Sequence, residues 1–351
     1  MPKRKPPAND EQIEIFSAIF NDIVSRETQD TMEAPFLSLA KKPRFRPIRY
    51  SGPNGTEVTV SGGEPHGIAN IFDWDLIIWL LSQVRHAADK NESVSRRIRF
   101  NRHAYLKDVR RSAGGSQYKR LEKSIARLKN TMVSTTIRAK QQRTIMFNWL
   151  EFVEIDRDDR GNLKDVTVVL PEWLFEAVSD HRLILTLHRD YFLLTGGLER
   201  WLYRIIRKSA GNSSWSWRLR TLHERSGSTQ EFKQFAHAIR GIAKHQVLLD
   251  YKLQIKNRNS EQFLFAKKQK PGTEKPKIES SKDEPREVQF LRLKTITYER
   301  VRKLIPRYDV YELESQWRDF NVGRESEIKN PDAAFVAFCK IHAERNPIPS
   351  R

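Results

Sequence analysis

Between residues 114 and 137 the apolar positions Tyr118, Leu121, Ile125, Leu128 and Met132 recur at spacings of three and four, which predicts a helix over about 116–131 with one apolar stripe. Its other faces carry Lys119, Arg120, Lys123 and Arg127. A shorter periodic segment, His103 to Arg111, precedes it across a break of small residues, Ser112-Ala113-Gly114-Gly115. Two helices joined by a short Gly-containing turn, the second one basic, have the form of a helix-turn-helix. Val133 to Ile137 and Thr144 to Ile155, rich in β-branched and aromatic residues, read as strands of a β-wing, so the order is that of a winged helix.

The remaining pattern extends this plan. From Asn9 onward, Ile13, Phe16, Ile19, Phe20 and Ile23 keep helical spacing and predict a short amphipathic helix behind a basic, proline-rich tail. Residues 35–71, with Tyr50, Val58, Val60 and turn signals at Gly52-Pro53-Asn54-Gly55 and Gly62-Gly63, read as a hairpin, and Asp73 is placed to cap the nearly all-apolar helix DWDLIIWLLSQV, expected at the centre of a core. A last strand spans Asp165 to Leu170, then a short helix from Pro171 to Val178 and a strand from Arg182 to Phe192. Thr195 to Ala210 is predicted helical, with Leu198, Trp201, Leu202, Ile205 and Ile206 inward and Arg200, Arg204, Arg207 and Lys208 on the other faces.

Next come a short helix at Leu219 to Arg225, a turn at Ser226-Gly227-Ser228, and a helix from Thr229 to His245 for which Ser228 and Glu231 have capping-box spacing. It presents Lys233, Gln234, His237, Arg240 and Lys244, and Asp250 to Lys256 with Gln262 to Ala266 form a second wing with Arg258 in its turn.

The fold class expected is therefore α+β, with two tandem winged-helix domains and a small C-terminal helical module. The boundaries are a flexible N-terminus over 1–35, a first winged helix over 36–190, a second over 191–266, a linker over 267–287 and the helical module over 288–351. In that module Asp309 to Phe320 and Pro331 to Arg345 read as helices, the latter capped by Asn330, with Trp317, Phe335 and Phe338 as a minor core.

Charge changes the picture from fold to partner. The chain carries a formal net charge of +19, and residues 96–143 hold fifteen Lys or Arg against Asp108 and Glu122. A polyanion, nucleic acid before an anionic membrane, is the expected partner. No apolar run approaches the roughly 20 residues of a membrane span, and the start MPKRKPPAND lacks an apolar signal core, so a cytoplasmic location is expected. The single cysteine, Cys339, leaves no internal disulfide and no cysteine-based zinc finger. The histidines are scattered without HExxH, and neither GxxxxGK[ST] nor GxGxxG occurs, so no metal, cofactor or catalytic residue is assigned.

LTGGLER at 194–200, His237-Ala238-Ile239-Arg240 and Tyr251 have the outline of tyrosine-recombinase boxes, but they fall on neighbouring helices, too close in sequence for that chemistry. Binding chemistry fits better. Near the N-terminal ends of the two basic helices, Ser116, Gln117, Lys119, Arg120, Lys233 and Gln234 are placed to enter a major groove, with Gln suited to adenine and Lys or Arg to guanine. Lys123, Arg127, His237, Arg240 and Lys244 continue those faces, and Arg138, Lys140, Arg143 and Arg258 suit phosphate or minor groove. Alternatives are a DNA-processing nuclease or recombinase, which would nick supercoiled DNA in magnesium, and a simple transcriptional repressor, which has no use for the tail module.

DWDLIIWLLSQV, GGSQYKRLEKSIARLKNTMVSTTI, LPEWLFEAV, YFLLTGGLERWLYRIIRKSAG, LHERSGS, YDVYELESQW and NPDAAFVAFC together resemble the plasmid replication initiator protein A family over about residues 36–345. The chain departs from the family pattern at Ser209, where a His usually follows the Lys, and at Leu248-Leu249-Asp250-Tyr251 in place of LPxY. The resemblance implies a bacterial protein that binds repeats in double-stranded plasmid origin DNA, melts or primes the adjacent DNA and recruits the host replication initiator and replicative helicase. It also implies tandem winged helices and, in many members, autorepression as a homodimer.

Overall fold

The computed structural model describes residues 14–269 except 53, 54, 113, 141, 160, 162 and 259; toward the C-terminus it describes 293, 297, 300, 301, 304, 305, 313, 314, 317, 321, 328 and 330–345. The basic tail, residues 269 onward of the linker region save Gln269, and most of the helix expected at 309–320 lie outside the described residues. The chain divides into two compact units, residues 1–110 with 119–276, and residues 111–118 with 277–351.

The core of the larger unit forms around α2 (Trp74–Asp89), whose Trp74, Leu76, Ile77, Ile78, Leu80 and Leu81 are fully buried, as its apolar sequence requires. A four-stranded sheet, in the order β1 (Ile15–Ala18), β5 (Arg97–Asn101), β9 (Leu163–Val169), β8 (Phe152–Arg157), and a second, β3 (Ile48–Ser51), β4 (Glu57–Gly62), β6 (Thr131–Thr135), β7 (Ile145–Asn148), belong to this unit. All pairings are antiparallel except β1 with β5. Helix α3 (Arg102–Asp108) and helix α4 (Gly115–Asn130) precede the β6–β7 hairpin in the chain. Helix α5 (Glu172–Ser179) packs against α2.

Several expectations are corrected. Over residues 14–23 the expected amphipathic helix is not found: Phe16 and Ala18 alternate with the outward Ile15 and Ser17, and parallel pairing with β5 makes Ile15–Ala18 a strand, while the expected start of that helix, Asn9 to Ile13, lies outside the described residues. The buried amide of Gln83 then holds the backbone of Phe20, accepting from its N–H at 3.0 Å and donating to its carbonyl at 2.7 Å. Strand β2 (Arg26–Thr28) and helix α1 (Asp30–Glu33) follow, so the N-terminal part from residue 14 is built into the unit.

The strand expected over 144–155 breaks at Trp149-Leu150, because Trp149 is buried among Phe36, Trp74, Phe147 and Trp173 and the chain passes there from one sheet to the other. Met132, placed on the helical stripe by spacing, lies on β6 and is 41% exposed. The strand expected over 182–192 shortens to β10 (Ile184–Thr186), paired with β2 between single 3-10 turns.

The last part of this unit runs α6 (Gly197–Ala210), β11 (Ser214–Arg218), α7 (Leu219–Ser226), α8 (Phe232–His245), β12 (Tyr251–Arg258) and β13 (Glu261–Lys268), with a three-stranded sheet ordered β11-β13-β12. The strand β11 has no counterpart in the sequence reading. Helix α8 starts at Phe232, later than expected, because the Ser228 hydroxyl accepts from the N–H of Gln230 at 3.2 Å and closes a local turn instead of a capping box. Gln246, with φ +49°, ends α8 and uses both amide atoms on Leu253, which fixes the hairpin against the helix.

In α6 the expected outward arginines turn inward. Arg200 and Arg204 are each 3% exposed and pair with the fully buried Asp75 and Glu27. In the smaller unit, α9 (Pro331–Arg345) is capped by Asn330, whose side chain accepts from the N–H of Ala333 at 3.1 Å. Val301, Leu313, Trp317, Phe335, Val336 and Cys339 form its core, with Phe338 packed at the margin.

Candidate nucleic-acid interface

Helix α4 is fixed by its apolar stripe and by Asp73. Leu121, Ile125 and Leu128 are buried. Asp73 sits at the N-cap position of α2 but does not cap it with its side chain. Its carboxylate instead accepts from the Ser124 hydroxyl at 2.6 Å, from Arg127 Nε at 2.7 Å and Nη2 at 2.6 Å, and from the N–H of Asn70 at 2.8 Å. Arg127, expected on a DNA face, is therefore committed to the α2–α4 junction, and that bond raises its already high pKa against the opposing effect of burial. Trp79 Nε1 donates to Asp108 at 2.8 Å and ties α3 to α2 in the same way.

With 3.6 residues per turn, Lys119, Lys123, Ser116 and Arg120 fall within an arc of roughly 100° on α4. All four are exposed, and Gln117 is half-buried at the margin. The only acid of the helix, Glu122, lies off that arc and pairs with Arg157 at 2.8 Å.

Arg138 also leaves the site. Although it sits in the turn after β6, its guanidinium pairs with Asp30 at 2.8 Å, donates to the carbonyl of Trp173 and lies 4.2 Å from the centroid of that indole. Burial lowers its pKa, with Asp30 opposing. Lys140 and Arg143, in the same connection between β6 and β7, are exposed.

On α8 the buried side is Phe235, Ala236, Ile239, Ile242 and Ala243. Lys233, Gln234, His237 and Lys244 are exposed on the opposite side. Arg240 is half-buried and donates to the Gln262 side chain at 2.8 Å, joining helix to hairpin. Helix α8 contains no acid, and its first turn presents Lys233 and Gln234. Arg258, at the end of β12, is exposed with its guanidinium 4.8 Å from the Phe265 ring centroid.

The recombinase-like set does not assemble. Arg200 is enclosed by Asp75 and the carbonyls of Phe192 and Leu194. Tyr251 is 1% exposed, its hydroxyl donates to the Gly211 carbonyl at 2.6 Å, and burial pushes its pKa up to about 12. Among the described residues no group of three or more His, Cys, Asp or Glu is arranged to hold a metal, and no helix is long and apolar enough to cross a membrane.

An α+β scaffold displaying basic helix faces defines the class; comparison with known proteins gives the family. Residues 26–253 match the family model of replication initiator protein A. The chain is also 30% identical over 245 residues to a "Putative replication protein" of Wigglesworthia glossinidia brevipalpis, covering 68% of this chain and 85% of that one. The chain belongs to the replication initiator protein A family. In fold it is similar to the crystal structure of domains 2 and 3 of RctB, with a TM-score of 0.52 at 13% identity over 68% of this chain and 98% of that one.

Proposed function

We propose that this replication initiator acts as a sequence-specific binder of double-stranded DNA, recognising repeats at a plasmid origin through two winged helices. The first comprises α3, α4 and the β6–β7 hairpin; the second comprises α6, α7, α8 and the β12–β13 hairpin. The observation that carries this reading is the pair of exposed, acid-free basic arcs, Ser116, Lys119, Arg120 and Lys123 on α4 and Lys233, Gln234, His237 and Lys244 on α8. Gln117 and Gln234 suit adenine, and Lys119, Arg120 and Lys233 suit guanine. Lys140, Arg143 and Arg258 supply phosphate contacts from the hairpins. Bound repeats then serve as the platform for the host replication initiator and replicative helicase, and binding as a homodimer at its own promoter represses transcription.

The test is binding to repeats flanking the protein's own gene against scrambled duplex across a salt series. Eight phosphate contacts give a slope of about −7 in log K against log salt. A preference of about a thousandfold for the repeats supports sequence readout. Equal affinity for both duplexes removes that reading, and a nick in supercoiled origin plasmid with magnesium reopens the enzymatic one.

A further inference from the structure

Strand pairing sorts the residues of the β11-β13-β12 sheet onto two faces. Trp217, Leu264, Ala266, Tyr251 and Leu253 are buried on one face. The opposite face presents Lys252, Lys256 and Arg258 from β12, Phe263 and Phe265 from β13, and Arg218 from β11. The cations are exposed and both phenyl rings are half-exposed. Lys256 Nζ and the Arg258 guanidinium lie 4.7 and 4.8 Å from the Phe265 centroid, and the Arg218 guanidinium lies 5.9 Å from that of Phe263. The one acid on this face, Glu261, is at the strand end and pairs with Arg218 at 3.1 Å.

We infer that this outer sheet face binds single-stranded nucleic acid, with Phe263 and Phe265 stacking bases and Lys252, Lys256 and Arg258 holding the backbone. A basic surface alone fits any polyanion; the rings make the choice. In a duplex the base faces are covered by their neighbours and only edges are presented in the grooves. A phenyl face gains nothing there, whereas an unpaired base offers a π-face to it. Two rings on one strand, two residues apart, stand roughly 6.8 Å from each other, far enough for each to take its own base. Arg258, already lying along Phe265, extends the stacking surface with its planar guanidinium. A second copy of this chain fits worse, since isologous pairing of the face sets Lys252, Lys256 and Arg258 against like charges.

The proposal adds single-strand binding on a face that shares only Arg258 with the duplex reading, and it does not depend on the repeats being recognised. The experiment measures anisotropy of a labelled oligothymidylate of about 20 nucleotides with the full chain, beside an abasic oligonucleotide of equal length and the repeat duplex. Oligothymidylate should bind on the order of tenfold more tightly than the abasic strand. The double variant Phe263→Leu/Phe265→Leu, which keeps apolar cover over the sheet, should remove that margin and leave duplex affinity within about twofold. If the double variant melts early, Lys252→Gln/Lys256→Gln takes its place and should reduce the magnitude of the single-strand salt slope by about 1.4.

Equal binding of abasic and base-bearing strands by the wild type overturns the proposal. So does unchanged single-strand binding by the variants, or a variant that changes only the oligomeric state in sedimentation, which would assign the face to a second copy. Failure of the repeats to outcompete scrambled duplex would remove the duplex reading and leave these single-strand arms intact.

Discussion

Helices α6 and α8 look alike in sequence and do opposite things with their charge. Both are amphipathic, and both place cations outside an apolar stripe. In α6, Arg200 and Arg204 are buried against Asp75 and Glu27, which lie 125 and 177 residues earlier in the chain. In α8, Lys233, His237 and Lys244 face solvent. A basic helix is therefore a binding face only when no carboxylate reaches it through the fold. The buried type orders the scaffold that aims the exposed type.

The largest expected effect tests the buried side of that contrast. Glu27 accepts from Arg204 Nε at 2.9 Å, from Trp74 Nε1 at 2.7 Å and from the Thr31 hydroxyl at 3.0 Å. Burial opposes the charge on Arg204, and Glu27 more than compensates, leaving its pKa raised. Glu27→Ala strands a buried guanidinium and should lower stability by about 3–5 kcal/mol in urea denaturation. The double replacement Glu27→Leu/Arg204→Met removes both charges and should recover a large part of that loss. Single variants costing under about 1 kcal/mol would show that the pair does not organise the core.

Next in size is a contrast within one helix. Arg120 and Arg127 are seven residues apart on α4 and nearly eclipsed. Arg127→Ala breaks two bonds to Asp73, whose side chain is 1% exposed, and should cost about 1.5–3 kcal/mol of stability. Arg120→Ala should stay within about 0.5 kcal/mol and instead weaken binding to the repeat duplex. If Arg120→Ala melts early or binds as the wild type does, the separation of holding and reading roles on α4 is wrong.

That separation marks how far the sequence carried. Apolar spacing located α2, α4, α6 and α8 and both hairpins, because their buried stripes are continuous within each segment. It misread 14–23, since the alternation of Phe16 and Ala18 depends on β5, more than seventy residues on by pairing of Ile15 with Arg97. It also placed Arg127, Arg138, Arg200 and Arg204 among outward cations, because Asp73, Asp30, Asp75 and Glu27 are distant in sequence and no local pattern links them. The outer face of the β11-β13-β12 sheet was missed although its signal was present. Lys252, Gln254, Lys256 and Arg258 alternate with inward residues, but their relation to Phe263 and Phe265 requires the strand register.

The smallest effect probes how closely anything approaches α8. Gly241 lies in the middle of the helix, and a Cβ built there meets no atom within 4 Å. At 100° per residue it falls inside the exposed arc, between His237 and Gln234. Packing gives no reason for a glycine there, and in a helix interior it costs about 0.8–1.0 kcal/mol relative to alanine. Gly241→Ala should therefore raise stability by roughly that amount, read as a higher urea midpoint with an unchanged slope. If the repeat duplex lies against this arc, the added methyl meets the DNA, and affinity should fall several-fold while stability rises. A stabilised variant with unaltered affinity would move the DNA away from this turn of α8 and leave Lys233 and Gln234, about two turns earlier, as the part of the helix that enters the groove.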